Sequence, residues 1–170
     1  MRTSKMKYLF PIGLFIALFL DGSISESFSK YMFTPNVSIE SRLVLLWLIM
    51  AVCYGQVDHI LAWSAAAGFF FDLYYTGILG VFTIILPLTV YLTRSAYQFF
   101  TQSFIVVLLI YLIDITIVTV LFYWVNALIG FTSVDLTTFI GRTLGPTLAY
   151  NLAMFVILFF PLERFFRKFS

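Results

Sequence analysis

The chain has 170 residues, of which 62% are hydrophobic and 11% are charged, and its mean hydropathy is +1.02. This composition excludes a water-soluble domain with a polar surface and is typical of a polytopic membrane protein. The net charge is only +2 and the basic residues lie mostly near the two ends, so nothing in the sequence indicates nucleic-acid binding.

Six apolar segments predict an all-α transmembrane bundle of about six helices. About 20 helical residues cross a hydrocarbon core of about 30 Å, and these segments reach or approach that length. Short links containing Gly55, Gly77 and Gly80 make spans two to four antiparallel neighbours. The spans form a single integral membrane domain over 1–170, with predicted bounds of 8–29, 42–55, 57–75, 78–93, 104–128 and 138–160.

The distribution of Lys and Arg predicts the orientation in the cell membrane, because cytoplasmic loops collect these residues. Seven lie on the side that holds both termini: Arg2, Lys5, Lys7, Arg94, Arg164, Arg167 and Lys168. Three lie on the opposite side: Lys30, Arg42 and Arg142. We therefore expect a multi-pass protein with both termini in the cytoplasm.

Three charged side chains are predicted to lie at a similar depth, just below the outer membrane boundary. At 1.5 Å per helical residue, Asp21 lies about 20 Å and Asp72 about 22 Å from the cytoplasmic entry of their spans, while Arg142 lies about 6 Å below the outer surface. A lone charge in hydrocarbon is costly and is usually paired. We therefore hypothesise an ionic clasp in which Arg142 bonds Asp72, Asp21 or both. The alternative is that both aspartates simply end their helices in water.

Asp114 lies near the middle of the longest apolar run, "VVLLIYLIDITIVTVLFYW". An acid within a span is by default a candidate functional residue. It could be a proton or cation site, or it could form hydrogen bonds with hydroxyl side chains in its neutral form. We favour a structural or interaction role, because no second acid or broken helix accompanies Asp114 in its span.

Small residues recur four positions apart, a spacing that allows close approach of helix backbones in lipid. The pairs are Ala62 with Ala66, Gly141 with Gly145, and Ala149 with Ala153. Packing within the bundle is the favoured interpretation and a partner interface is the alternative, although the last span could serve both.

The sequence predicts no enzyme, no cofactor and no metal site. His59 is the only histidine and Cys53 the only cysteine, so zinc sites, haem sites and Cys/His nucleophiles lack residues. No phosphate-binding Gly-Lys-Ser/Thr loop or nucleophile elbow is present.

The stretch "AAGFFFDLYYTGILGVFTIILPLTVYL" resembles the signature region of the rod shape-determining protein MreD family. In that family the third helix carries a glycine, an aspartate four residues later, and glycines that open the next helix. Here those positions are Gly68, Asp72, Gly77 and Gly80. The resemblance extends over essentially the whole chain, including "FIALFLDGSIS" around Asp21 and the basic end "PLERFFRKFS".

The resemblance implies a non-enzymatic membrane scaffold of the bacterial elongation machinery that helps to organise peptidoglycan synthesis and cell shape. The implied partners are an MreC-like single-span protein, RodA and a class B transpeptidase, together with membrane lipid. The implied fold is similar to that of the six-helix, substrate-binding S components of vitamin transporters.

The alternative function is that of an S component, which binds a small solute for an energy-coupled transporter. S components typically carry an Ala-xxx-Ala docking pattern on their first helix, and span one here has only Gly13 with Ala17. This difference favours the scaffold. A neighbouring MreC-like gene would support the scaffold, and a neighbouring ATPase or vitamin gene would support transport.

Overall fold

The computed structural model describes residues 6–32, 34, 36–55, 57, 59–76, 80–101, 103–130 and 135–169, and these form a helical bundle. Its helices are α1 (Met6–Ser27), α2 (Ser29–Met32), α3 (Leu43–Tyr54), α4 (Ile60–Phe71), α5 (Val81–Tyr97), α6 (Phe104–Leu128), α7 (Leu136–Phe139) and α8 (Gly145–Phe169). Two π-helical turns, Asp72–Thr76 and Ile140–Leu144, extend α4 and join α7 to α8. The predicted all-α bundle is confirmed.

Helix α3 forms the centre of the bundle. Every residue from Leu43 to Tyr54 except Val52 is buried, and α3 contacts α1, α4, α5, α6 and α8. A helix that is apolar on all sides needs burial on all sides, and the sequence of α3 has no polar face. Its 12 residues span only about 18 Å, which is acceptable because its neighbours shield it from lipid.

Three helical segments are long and apolar enough to cross a membrane: Tyr8–Ser27, Phe104–Leu128 and Leu136–Lys168. The other apolar helices among the described residues are shorter, at Leu43–Tyr54, Ile60–Tyr74 and Val81–Tyr97. The chain is thus a membrane protein in which helices long enough to span the bilayer pack with shorter apolar ones.

Two helices continue past the predicted ends of their spans. Helix α5 reaches Tyr97 rather than Thr93, and α8 passes through Pro161 to Phe169 rather than ending at Phe160. The extra turns of α8 are held by Phe166, which packs against Trp47 with ring centroids 4.7 Å apart. Glu163 and Arg167 also form an ion pair of 3.0 Å, four residues apart on the same face.

Candidate functional site: two carboxylate caps and a buried polar network

Asp72 caps the N-terminus of α5. Its carboxylate accepts hydrogen bonds from the backbone N–H groups of Gly80, Phe82 and Thr83, at 3.0, 3.0 and 3.1 Å, and from the Thr83 hydroxyl at 3.0 Å. The first N–H groups of a helix have no partner within the helix and carry a partial positive charge. The fully buried Asp72 carboxylate supplies these N–H groups with both a hydrogen-bond acceptor and a negative charge.

Gly68 lies one turn before Asp72 on the same face of α4 and brings the α5 backbone close. A Cβ at Gly68 would lie 2.1 Å from the carbonyl oxygen of Phe82 and 2.8 Å from the nitrogen of Thr83. Gly80 has φ +100°, a left-handed conformation that favours glycine, and its N–H points to Asp72. The structure therefore brings Gly68, Asp72 and Gly80 together, while Gly77 lies outside the described residues.

Asp21 caps α3 in the same way. Its carboxylate accepts from the backbone N–H of Leu43 at 2.8 Å and of Val44 at 3.0 Å, and from the Ser41 hydroxyl at 2.7 Å. Asp21 is only 3% exposed. An acid from α1 thus fixes the start of the central helix, as an acid from the π-helical turn after α4 fixes the start of α5.

The segment before α3 is bonded to α8 through Asn151 and Thr147, which are both fully buried. The Asn151 amide donates to the carbonyl of Glu40 at 2.9 Å and accepts from the N–H of Arg42 at 3.0 Å. Thr147 accepts from the N–H of Glu40 at 3.1 Å. These side chains replace the backbone partners that the non-helical segment lacks.

Tyr111 of α6 and Tyr150 of α8 extend this network. The Tyr111 hydroxyl lies 3.1 Å from the carbonyl oxygen of Arg42 and 3.2 Å from Oδ1 of Asn151. The Tyr150 hydroxyl donates to Ser41 at 3.3 Å, and Ser41 donates to Asp21. Four helices, α1, α3, α6 and α8, therefore meet in one connected set of hydrogen bonds.

The predicted ionic clasp is wrong. Among the described residues the ion pairs are Arg42 with Glu40 and Arg167 with Glu163, and Arg142 pairs with neither Asp21 nor Asp72. The Arg142 carbonyl instead accepts from the N–H of Ser38 at 2.9 Å, and the Arg142 Nε has no hydrogen-bond partner among the described residues. The two aspartates use their oxygens on backbone N–H groups, and neither ends its helix in water.

Arg42 is the buried arginine of this region, a role that the sequence pattern did not predict. It is 6% exposed, pairs with Glu40, and lies over the Phe82 ring with 5.3 Å from Cζ to the ring centroid. Its Nε has no hydrogen-bond partner among the described residues. Glu40, an acid two residues before Arg42, was the feature of the sequence that could have indicated this ion pair.

A cavity of about 620 Å³ opens between the two caps. Its polar wall includes Asp21, Glu26, Glu40 and Arg42, and its apolar wall includes Phe71, Tyr74, Phe82 and Phe122. This size and mixed lining are sufficient for a small organic molecule.

Asp114 lies apart from both caps, in α6. It is 3% exposed and its Oδ2 forms a short hydrogen bond with the hydroxyl of Thr93 in α5. Of the predicted site residues, Gly68, Asp72 and Gly80 therefore lie together, while Asp21, Asp114 and Arg142 make their contacts elsewhere.

The small residues of the last span do not pack within the bundle, contrary to the favoured interpretation. Gly141, Gly145, Ala149 and Ala153 are all exposed, and a Cβ at Gly141 would meet nothing within 4 Å. They follow one another every four residues and form one small-residue stripe along the helix. This stripe leaves room for close approach by another helix.

No group of three or more His, Cys, Asp or Glu side chains that could hold a metal ion occurs within the described part of the chain. Cys53 is buried in α3.

Comparison with known proteins gives one consistent result. The family model described as "rod shape-determining protein MreD" matches residues 4–169. The chain is also similar to the rod shape-determining protein MreD of Bacillus subtilis (strain 168), with 25% identity over 164 residues that cover 94% of this chain and 93% of that protein. No solved structure matches.

Proposed function

We propose that this chain, which belongs to the MreD family of rod shape-determining proteins, is a non-enzymatic scaffold of the bacterial elongation machinery. In this role it helps to organise peptidoglycan synthesis together with an MreC-like single-span protein, and it also contacts RodA and a class B transpeptidase. The observation that carries the proposal is the family match over residues 4–169, nearly the entire chain. The coarser conclusion, a rod shape-determining membrane protein, follows from the family itself.

The use of the buried polar groups supports a scaffold. Asp21, Asp72 and Asn151 are occupied by hydrogen bonds that hold helices to one another. Groups held in this way stabilise one arrangement of helices rather than carry out chemistry. The exposed small-residue stripe then offers a surface for a partner helix.

The proposed location is the cell membrane, with both termini on the cytoplasmic side. The support is the distribution of Lys and Arg, seven on the terminal side against three on the other. A C-terminal reporter that is active only in the cytoplasm tests this orientation, and an inactive reporter fused to a stable protein would contradict it.

Depletion in the native host tests the function. We expect rounded cells and misplaced wall growth, because the synthetic enzymes lose their common platform. Normal morphology in a clean deletion would contradict the proposal.

Purification in mild detergent tests the partnership. We expect the MreC-like protein and RodA to co-purify, and Ala149→Leu with Ala153→Leu to reduce the recovery of RodA several-fold by filling the small-residue stripe. Ala127→Leu, at an exposed alanine on α6 outside the stripe, is the matched control and should leave recovery unchanged.

Solute binding is the second candidate, and the cavity between the caps is the observation that favours it. Native mass spectrometry of the purified protein would reveal a stoichiometric small-molecule adduct, and Tyr74→Ala at the exposed cavity wall should release it. A protein free of any such adduct, with the MreC-like protein bound, favours the scaffold.

A further inference from the structure

Asp114 is buried in α6 with too few hydrogen-bond donors. The Thr93 hydroxyl contacts Oδ2 of Asp114 and lies 2.9 Å from the carbonyl oxygen of Thr89. Thr93 has one hydroxyl proton for these two acceptors. If Asp114 is ionised it takes that proton, and if Asp114 is neutral it donates its own proton to Thr93. In both cases no hydrogen bond within the described chain reaches the second oxygen, Oδ1.

A groove opens at Asp114 between α5 and α6. Its volume is about 450 Å³, and its walls are almost entirely apolar apart from Thr93 and Asp114. Several wall side chains are well exposed, including Leu109 at 54% and Ile113 at 57%. The groove is thus an apolar surface with one under-bonded acceptor at its base.

The chemistry of the groove distinguishes among occupants. A lipid acyl chain would cover the apolar walls but would leave Oδ1 without a donor, which is costly away from water. A helix with a donor side chain would cover the walls and bond Oδ1 at once. Polar side chains form such bonds across helices in membranes.

We propose that this groove binds a transmembrane helix of a partner protein through a hydrogen bond from a donor side chain to Asp114. The inference rests on the proposed scaffold function and assigns it a contact surface. Asp114 is about 15 Å along α6 from Phe104, near the middle of a helix about 37 Å long. The partner's donor therefore lies within about one turn of the midpoint of its own span.

Photo-crosslinking in native membranes tests the groove. A photoreactive phenylalanine derivative at Leu109 or Ile113 should form an adduct with the span of the MreC-like protein, whereas the same group at the exposed Phe19 of α1 should not. Asp114→Leu should lower the adduct yield roughly five- to tenfold, while Asp114→Asn, which keeps an acceptor oxygen, should stay within about twofold. Thr116→Val is the matched control, because among the described residues its hydroxyl bonds only the carbonyl of Leu112, in its own helix, at 2.9 Å.

A second variant separates loss of docking from loss of folding. Ala96→Phe fills the groove and leaves Asp114 intact, so it should lower the adduct yield to a similar extent. Replacing the donor in the captured span should lower the yield by the same factor, and it should have no further effect in Asp114→Leu.

Four outcomes would overturn the inference. They are adducts that persist in Asp114→Leu, a captured span without a donor near its midpoint, adducts with a second copy of this chain, and adducts with lipid alone. If the MreC-like protein still co-purifies in any of these cases, the scaffold function stands and only the groove assignment fails. If it does not co-purify at all, the proposed function fails with it.

Discussion

Asp72 and Asp114 are both buried carboxylates in apolar helices, yet their surroundings differ. Among the described residues, Asp72 accepts from three backbone N–H groups and one hydroxyl, whereas Asp114 contacts one hydroxyl that has a second acceptor of its own. Asp21 is intermediate, with two N–H groups and one hydroxyl. Burial alone therefore does not distinguish a structural carboxylate from one that binds a partner. The number of hydrogen-bond donors around the carboxylate distinguishes the two.

Asp72→Ala should have the largest effect on stability. It leaves three N–H groups at the start of α5, one buried and two part-buried, without this acceptor, and an unsatisfied buried group costs about 1–3 kcal/mol. We expect the free energy of unfolding in detergent to fall by about 3–5 kcal/mol. Asp72→Asn keeps one acceptor oxygen and should lose about half as much. A free energy of unfolding equal to that of the wild type would rule out the cap.

Gly68→Ala should come next, because it separates α5 from Asp72 rather than removing the acid. The new Cβ would lie 2.1 Å from the Phe82 carbonyl oxygen, so the backbones must move apart. We expect a loss of about 2–4 kcal/mol in chemical unfolding. Gly141→Ala is the matched control, since its Cβ meets nothing within 4 Å and stability should change by less than about 0.5 kcal/mol. Equal losses in both variants would contradict the close approach.

Asp21→Ala should cost less than Asp72→Ala, about 2–3 kcal/mol, because only two N–H groups lose their acceptor. Ser41→Ala removes one donor and leaves both N–H bonds, so it should cost about 1 kcal/mol. Thermal unfolding of both variants checks the order. A larger loss for Ser41→Ala would contradict the assignment of Asp21 to the N-terminus of α3.

Arg142→Gln should have the smallest effect. Its side chain pairs with neither aspartate, so the double variant with Asp72→Asn should show additive losses within about 0.5 kcal/mol. A coupling energy above about 1 kcal/mol between Arg142 and Asp72 would instead support the ionic-clasp hypothesis.

The sequence predicts the all-α membrane bundle well, because long apolar runs and short glycine links are strong signals. The grouping of Gly68, Asp72 and Gly80 followed from the family resemblance, and the structure supplies its cause, a carboxylate cap across closely packed helices. The cap itself had no sequence signal, since its donors are backbone N–H groups that every residue except proline carries.

Three features could not be obtained from the sequence for physical reasons. Arg42 and Arg142 both lie near the same predicted membrane boundary, so depth could not decide which arginine is buried. The helical spacing of Gly141, Gly145, Ala149 and Ala153 shows that they share a face but not whether that face is covered. Asn151 is a single polar residue in an apolar run, and its partners are carbonyl and N–H groups of a distant segment.

The midpoint of thermal unfolding of Asp72→Ala and Asp114→Leu, measured side by side in one detergent, distinguishes a structural carboxylate from an interacting one. With a shift of about 2–4 °C per kcal/mol for a chain of this size, we expect a fall of roughly 10 °C for Asp72→Ala. For Asp114→Leu we expect the midpoint to change by no more than about 3 °C, because this variant weakens partner binding rather than the fold. Equal shifts in the two variants, or a larger one for Asp114→Leu, would contradict the distinction between a fully bonded cap and an open acceptor.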